Sequence, residues 1–384
     1  MSKGTEAPVA AYDDFKAAVY DINEKDWQRF DHLTSVNLNE EECEMAAKPD
    51  QTAPQAHDCL AVHWHPEWAP LDLIARRLAH SFPMADNSLI IPTQHNRILT
   101  FGPWAGVEAD VYDRNCKMKV QLLLHFSASR LPQASVLSAM MERTYLYRAH
   151  QLLDILKRLS EADEVMEKTA ASMRSSIGRQ AMDMARFYAM RLHRMIADSG
   201  IIGGDRDEML KNRLLPDFIA ASEPDKSLVA QTAVFINAVK KTVKSELNPD
   251  AFHSPQEVIE ETRALGGGVV IPHPPQFWPA LLADYDIDGW EVWNPSTPRH
   301  TVFLAEALNR ANESRGKRRR LLAFMGDDTH MSAKFRLHLS AEKDSADREI
   351  GFQPPWEDPK VAEVLRDGGQ SLANTINEYR SRME

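Results

Sequence analysis

The chain has 384 residues, of which 43% are hydrophobic and 26% charged, a composition typical of a globular protein. Its length exceeds what one hydrophobic core usually needs, so we expect a large domain with an insertion, or two domains. The formal net charge is −11, and a mildly acidic surface disfavours binding to anionic membranes or to extended nucleic acid.

The cysteines and the apolar runs indicate in which cellular compartment the protein is expected. Cys43, Cys59 and Cys116 show no C-x-x-C spacing, and an odd number in a long chain does not indicate a disulfide framework. The first residues, "MSKGTEAPVAAYDDF", lack an apolar signal core, and no uninterrupted apolar run reaches the roughly 18 residues that span a bilayer. We therefore expect a cytoplasmic protein without a membrane anchor.

The first third of the chain predicts an extension followed by strands. Residues 1–57 are acidic and carry no recognisable motif, so we interpret them as an N-terminal extension. Residues 58–134 contain four short apolar runs that predict strands, namely "CLAVHWH", "SLIIPTQ", "WAGVEADVY" and "VQLLLHFSA". Only "DRNCK" separates the last two, which favours a hairpin.

The middle of the chain has helical periodicity. "LYRAHQLLDILKRLSEADEVMEK" places Leu146, His150, Leu153 and Leu156 at spacings of three and four, and "RQAMDMARFYAMRLHRMIADSG" continues the pattern. We predict that residues 135–250 form a helical insertion. Methionines in this stretch are expected to be packing residues and not ligands, namely Met182, Met184, Met190 and Met195.

Strands return after the insertion. "HSPQEVIEETRALGGG" has the Ser-x-x-Glu spacing of a capping box and ends in glycines, so it predicts a helix that leads into the strand "GGVVIPHP". "DGWEVWN" and "RLLAFMGDD" predict two more strands within residues 251–340, and residues 341–384 form a charged, partly helical tail. Seven strands with intervening helices predict an α/β fold.

Histidines and carboxylates fall at or near the ends of these predicted strands. In α/β barrels the side chains that perform chemistry project from the carboxyl ends of the strands. A single histidine on a strand is usually an ordinary imidazole, but convergence of this many indicates a metal centre for zinc, manganese, iron or cobalt. The candidates are His63, His65, His95, Glu108, His125, His273, Asp328 and His330.

Two ions are consistent with such a set of ligands, because Glu108 or Asp328 could bridge them through its two oxygens. Ions roughly 3.5–4 Å apart can hold a hydroxide between them and stabilise a displacement at phosphorus. In the predicted hairpin, Glu108 and His125 should lie almost opposite one another. The pattern therefore favours hydrolysis.

In order along residues 59–331, these motifs resemble those of the PHP (polymerase and histidinol phosphatase) family of metal-dependent phosphoesterases. The chain offers "HWH" for H-x-H, "TQHN" for T-D-H-N, "GVEAD" for G-x-E and "LLLHF" for the histidine strand. "GGGVVIPHP" then matches the histidine-proline strand, "IDGWEVWN" the D-G-I-E-V strand, and "GDDTH" the G-S-D-x-H ending. The helical insertion is similar to the subgroup that dephosphorylates nucleotides and trims RNA ends.

The resemblance implies a distorted (β/α)7 barrel with a helical insertion domain and two or three divalent metal ions (Mn, Zn or Fe) at one mouth. It implies that His63, His65, Glu108 and Asp328 hold one ion, that His125 and His273 complete a second, and that His95 and His330 help to hold a third. The family's further ligand after H-x-H has no clean counterpart, and Glu67 and Asp72 are the candidates. Gln94 stands where the family has aspartate, and Asp327 where serine is common.

The expected activity is hydrolysis of a phosphate monoester or nucleotide, with a small phosphorylated molecule as partner. Arg97, Arg148 and Arg299 are candidates for binding phosphate, although a surface or structural role is favoured for each. His330, Asp327 or a metal-bound water could protonate the leaving oxygen.

Other interpretations stay open at this point. The same metal centre could hydrolyse an amide or lactone, and an inactive scaffold is a further alternative, although such a scaffold predicts lost ligands. "GKRRR" at 316–320 is interpreted as a solvated joint before a strand and not as a nucleic-acid patch.

Overall fold

The computed structural model describes residues 18–161, 178–204, 206–316, 318–335 and 348–384. The start of the predicted extension, the centre of the predicted insertion, Lys317 of "GKRRR" and the start of the predicted tail lie outside the described residues. Contact clustering gives two compact units. A helical unit comprises Met1–Asn37 and Tyr147–Asn248, and an α/β unit comprises Leu38–Leu146 and Pro249–Glu384.

The elements are numbered in chain order. The helices are α1 (Glu24–Thr34), α2 (Glu40–Ala47), α3 (Leu71–Ser81), α4 (Ser135–Glu161), α5 (Arg179–Ser199), α6 (Leu214–Ser222), α7 (Lys226–Ser245), α8 (Pro255–Ala264), α9 (Thr301–Arg315), α10 (Ser332–Phe335), α11 (Pro359–Asp367) and α12 (Leu372–Met383). The strands are β1 (Asp58–Ala61), β2 (Trp64–His65), β3 (Asn87–Ile90), β4 (Leu99–Phe101), β5 (Trp104–Asp113), β6 (Met118–Ser127), β7 (Gly268–Ile271), β8 (Gly289–Trp293), β9 (Leu322–Met325) and β10 (Thr329–His330).

The helical unit is built from α1, α5, α6 and α7 together with part of α4, which begins in the α/β unit. Arg191 of α5 donates to the Asp26 carboxylate of α1 at 2.9 Å and to the carbonyls of residues 18, 19 and 21. Met195 is buried, and the Met184 sulfur accepts a hydrogen bond from Thr232 on α7. These two methionines therefore pack in the helical unit, as the sequence predicted for them.

The α/β unit holds a mixed sheet in the order β4-β5-β6-β7-β8-β9. Neighbours from β4 to β7 are antiparallel, and β7, β8 and β9 are parallel. The predicted hairpin is confirmed as β5–β6, but its register differs from the expectation. His125 pairs with Gly106 and Glu108 pairs with Leu123, because the turn lies about one residue earlier than the sequence suggested.

The predicted seven-stranded barrel is not confirmed, since the strands of the described residues form three separate hydrogen-bonded sheets. β1 pairs only with β3, and β2 only with β10, both in parallel. The first predicted strand is interrupted after Ala61. Beside β1 and β9 the Gln353 amide donates to Leu60 O at 2.7 Å and to Met325 O at 2.6 Å, so a side chain and not a strand ladder links these two strands.

The carboxyl-terminal segment belongs to the core. α12 packs on β1, β3, β6, β7 and β9, and its Ile376, Tyr379 and Met383 join the apolar interior between these strands. A second core lies between the six-stranded sheet and the surrounding helices, including α8, α9 and α11. The capping box of α8 is confirmed at Ser254 and Glu257.

Candidate metal centre

A single carboxylate, that of Glu108 on β5, lies at the centre of the site. Its Oε1 lies 3.9 Å from His63 Nε2 and 3.5 Å from His273 Nε2. Its Oε2 lies 3.7 Å from His65 Nε2 and 2.5 Å from His95 Nδ1. Each oxygen thus faces two imidazoles, and a carboxylate can be shared between two ions through its two oxygens.

Asp328 supplies a second anionic point. Its Oδ1 lies 3.5 Å from the Nε2 atoms of His63, His65 and His330. Two ligands of one ion, each about 2.1 Å from it, are about 3.0–3.4 Å apart. The separations between these nitrogens and oxygens are therefore close to those of a metal-ligand set.

The histidines form one continuous group. The His65 ring stacks between His95, at a centroid distance of 4.4 Å, and His330, at 4.3 Å. His63 contacts both His65 and His273, at 5.3 and 5.5 Å. In the described part of the chain, two sets have their ligand atoms within 4.8 Å of one another: His63 with His65 and Glu108, and His65 with His95 and His330.

Buried polar atoms in this group lack hydrogen bonds among the described residues. They include both oxygens of Glu108, both ring nitrogens of His65, Nε2 of His63 and Nδ1 of His95, whose short approach to Glu108 does not have hydrogen-bond geometry. Buried polar atoms are normally paired, because an unpaired one costs about 1–3 kcal/mol. Imidazole and carboxylate are also the donors preferred by zinc, manganese and iron. This histidine and glutamate cluster could therefore hold divalent metal ions.

The histidines of the cluster differ in the direction in which their surroundings shift the pKa. Burial, reinforced by His330 and His95, lowers the pKa of His65 to about 3, so His65 is neutral, as a ligand must be. Burial also disfavours the charged form of His63, but the carboxylates of Glu291 and Asp328 raise its pKa to about 10.

The two carboxylates stay ionised. Burial would raise the pKa of Glu108 and of Asp328, yet the neighbouring histidines hold both pKa values well below their usual range. His330 has a pKa raised to about 9, since Asp328 and Glu67 outweigh its burial. Two ionised carboxylates surrounded by imidazoles are suited to binding cations.

Backbone strain is concentrated at the site. Glu67, Asn96, His273 and Asp328 have positive φ values of 54°, 52°, 29° and 50°. Such values are uncommon for residues other than glycine and cost about 1–3 kcal/mol each. The surrounding structure maintains these conformations where strands end. The side chains of Glu67, His273 and Asp328 contact the cluster, whereas the Asn96 side chain pairs with Asp110.

Glu291 on β8 orients His63, and the sequence analysis did not single it out. Its Oε1 lies 2.5 Å from His63 Nδ1, and its Oε2 accepts from His273 N at 2.7 Å. Because a carboxylate accepts, Nδ1 carries the hydrogen and Nε2 is left for an ion. A Cβ at Gly326 would collide with the Glu291 carboxylate, so this glycine is required. A buried acid in the apolar run "GWEVWN" was the signal that could have identified Glu291.

The two candidates for a further ligand are placed differently. Glu67 Oε1 lies 3.6 Å from His330 Nδ1, and Glu67 Oε2 accepts from Ser332 N at 2.9 Å. Asp72 lies in the first turn of α3 with its side chain exposed. Of the two, the structure brings Glu67 to the cluster. Gln94 Oε1 accepts from Glu67 N at 3.0 Å, so this amide supports Glu67.

His125 lies beside the cluster and is held by α12. Its Nδ1 lies 2.8 Å from Tyr379 Oη, and its buried Nε2 has no hydrogen bond among the described residues. Gly106 lies opposite His125, and a Cβ there would lie 3.0 Å from the imidazole and 2.7 Å from Ile91. The glycine of "GVEAD" therefore allows close packing around His125.

The remaining candidates are the three arginines and Asp327. Arg97 lies over the Tyr145 ring at 4.1 Å, and Arg299 is exposed and donates to His300. Arg148 belongs to the helical unit. The Asp327 carboxylate accepts from the backbone N–H groups of Gly351 and Thr329, and burial raises its pKa to about 7.

Comparisons with known proteins identify no family. Neither a scan against models of protein families nor a search of curated proteins finds a match. Among solved structures, the chain is similar to a proposed metal-dependent phosphoesterase from Bifidobacterium adolescentis, with 18% identity, a TM-score of 0.41, and coverage of 82% of this chain and 97% of that chain. This similarity is too low for any conclusion to rest on it. Among the described residues, no helix combines the length and apolar character needed to cross a bilayer.

Proposed function

We propose that this protein is a metal-dependent phosphoesterase that hydrolyses a phosphate monoester or nucleotide. The observation that carries the proposal is the buried Glu108 carboxylate, whose two oxygens each face two imidazoles and lack hydrogen bonds within the described part of the chain. A buried charge of this kind requires a cationic partner. The substrate is then a small phosphorylated molecule in the cytoplasm.

The residues would divide into three sets. His63, His65, Glu108 and Asp328 would hold one ion, and His273 with Glu108 a second, which His125 completes. His95 and His330, with Glu67 in place of the family's further ligand, would hold a third. Divalent ions bound there would supply Lewis-acid polarisation of the phosphoryl oxygens and a water of lowered pKa. Zinc, manganese and iron all suit these donors.

The protein groups act by orientation and charge. Glu291 fixes the tautomer of His63, and the Ser332 N–H fixes the carboxylate of Glu67. His330 is 24% exposed, so a substrate could reach it. It is the group we assign to protonate the leaving oxygen when it holds no ion, since its pKa is raised to about 9.

We further propose that the α/β unit is a divergent PHP-type barrel of the subgroup with a helical insertion. The order of the motifs supports this proposal, as do two short parallel pairings outside the six-stranded order. β2 pairs with β10 through Trp64 and Thr329, and His95 forms a parallel bridge with Glu108. Both pairings contain candidate ligands, His65 with His330 and His95 with Glu108.

The test measures bound metal and hydrolysis on the same preparations. Protein purified without chelators and reloaded with manganese or zinc is analysed by elemental mass spectrometry, then assayed with p-nitrophenyl phosphate, nucleoside monophosphates, p-nitrophenyl acetate and a lactone. We expect two or three ions per chain, and turnover of the phosphate esters. Loss of both in His63→Ala/His65→Ala would support the proposal.

The matched control is His57→Ala/His193→Ala, which removes two exposed histidines. It should retain metal and turnover. A folded protein that binds no ion would refute the metal centre. Retained metal with turnover of the acetate or lactone alone would favour the carbon-centred hydrolase, and retained metal with no turnover on any substrate would favour an inactive scaffold.

A further inference from the structure

One arginine lies directly beside the cluster, and it is none of the three that the sequence suggested. Arg348 Nη1 donates to Asp328 Oδ2 at 3.0 Å and to Asp328 O at 2.9 Å. The same aspartate directs its Oδ1 at the Nε2 atoms of His63, His65 and His330. Arg348 is therefore one side chain away from the atoms that would hold the ions.

The rest of this guanidinium has no partner among the described residues. Arg348 Nε is buried without a hydrogen bond, and both of the bonds that the side chain makes come from Nη1. The side chain is 15% exposed. A buried donor of a permanently charged group is costly to leave unpaired, so the part of the guanidinium that has no partner among the described residues points to an anionic ligand.

The neighbouring residues hold Arg348 in place through buried contacts. Glu349 is fully buried and pairs with both Nε and Nη2 of Arg77, at 2.6 and 2.5 Å. Arg77 also donates to the carbonyls of Met45, Ala46 and Lys48. Two residues further along, the backbone is fixed at Gly351, whose N–H donates to Asp327 at 3.0 Å. Arg348 is thus presented by an anchored segment.

We propose that Arg348 is the phosphate-binding cation of this site. This inference rests on the proposed function and names a recognition residue for it. Nη1 holds Asp328 while Nε and Nη2 donate to two oxygens of the phosphoryl group, because a guanidinium offers a planar set of donors that suits phosphate. Arg348 thereby combines orientation of a ligand carboxylate with recognition of the substrate's charge.

The test measures binding of inorganic phosphate to manganese-loaded protein by calorimetry, alongside manganese content. Arg348→Met should weaken phosphate binding by about 10-fold to 100-fold, the effect expected from losing charge-assisted hydrogen bonds. Arg348→Lys should recover part of the affinity, since it restores the positive charge but not the planar set of guanidinium donors. Arg76→Met removes an exposed arginine from α3 and should bind phosphate as the wild type does.

Manganese content separates recognition from a purely structural role. Unchanged manganese with weakened phosphate binding supports the inference. Loss of manganese in both Arg348 variants would overturn it, because Arg348 would then serve only to hold Asp328. Unchanged phosphate binding in Arg348→Met, in a wild type that hydrolyses phosphate esters, would overturn the inference alone. A wild type that neither binds phosphate nor hydrolyses its esters would overturn the proposed function as well.

Discussion

The candidate ligands are arranged by residues that do not themselves face an ion. Glu291 fixes one nitrogen of His63, Ser332 N–H fixes Glu67, and Tyr379 fixes His125. Such outer partners set the orientation and basicity of the ligands, so their loss commonly costs 10-fold to 100-fold in metal affinity. A substitution at Glu291 should therefore lower the metal affinity, although Glu291 itself is not a proposed ligand.

Replacing Glu291 with Gln keeps the size of the side chain and removes its charge. We expect metal affinity to fall by about 10-fold to 100-fold, because His63 loses the carboxylate that accepts from Nδ1. Competition with a fluorescent chelator measures the affinity. Glu306→Gln, an exposed position on α9, is the control. Equal affinities in the two variants would mean that Glu291 has no part in orienting His63.

Elements that carry no site residue also determine the shape of the site. The segment after β10 supplies Gln353, whose amide links β1 to β9, and α12 supplies Tyr379 to the interior of the α/β unit. The predicted tail is thus structural in its described part. These contacts join β1 and β9, the strands that precede His63 and Asp328.

Gln353→Met leaves the buried carbonyls of Leu60 and Met325 without their donor. We expect the free energy of unfolding to fall by about 2–4 kcal/mol, the cost of two unpaired buried acceptors. Urea denaturation of metal-free protein measures it. Gln276→Met, at an exposed position, should change stability by less than about 0.5 kcal/mol. A Gln353 variant as stable as this control would show that the link between β1 and β9 is dispensable.

The stability of the whole molecule depends on pH through the ionisable groups of the cluster. In metal-free protein, the raised pKa values of His63 and His330 stabilise the folded state fully below the ordinary pKa of 6.5, and this contribution is lost as pH rises through about 9 and 10. The lowered pKa values of Glu108 and Asp328 have the opposite sign. Their contribution is present above about pH 4 and is lost on acidification.

Metal binding should therefore stabilise the protein more as pH rises. Ions must displace protons from His63 and His330, so the difference in Tm between zinc-loaded and chelator-treated protein should increase from about pH 6 to about pH 8.5. Differential scanning calorimetry measures it. His63→Ala/His65→Ala should show no such increase. A wild-type difference that stays constant over this range would contradict ligation through these two groups.

The sequence by itself determined the local features. Seven apolar runs specified strands, the Ser-x-x-Glu spacing specified the start of α8, and the strand-end histidines and acids were visible as a set, because each of these signals depends on a few neighbouring residues. Periodicity also identified α5 as a helix of the middle region.

Only the tertiary structure decided which of these residues meet. The separation of the strands into three sheets, the grouping of α1 with the helices after residue 146, and the positions of Glu291, Arg348 and Tyr379 all depend on contacts between residues distant in the chain. Arg348 illustrates the reason most clearly. It stands twenty residues after Asp328 with no motif around it, and it is brought to the site by the burial of Glu349 against Arg77, an interaction that no local pattern encodes.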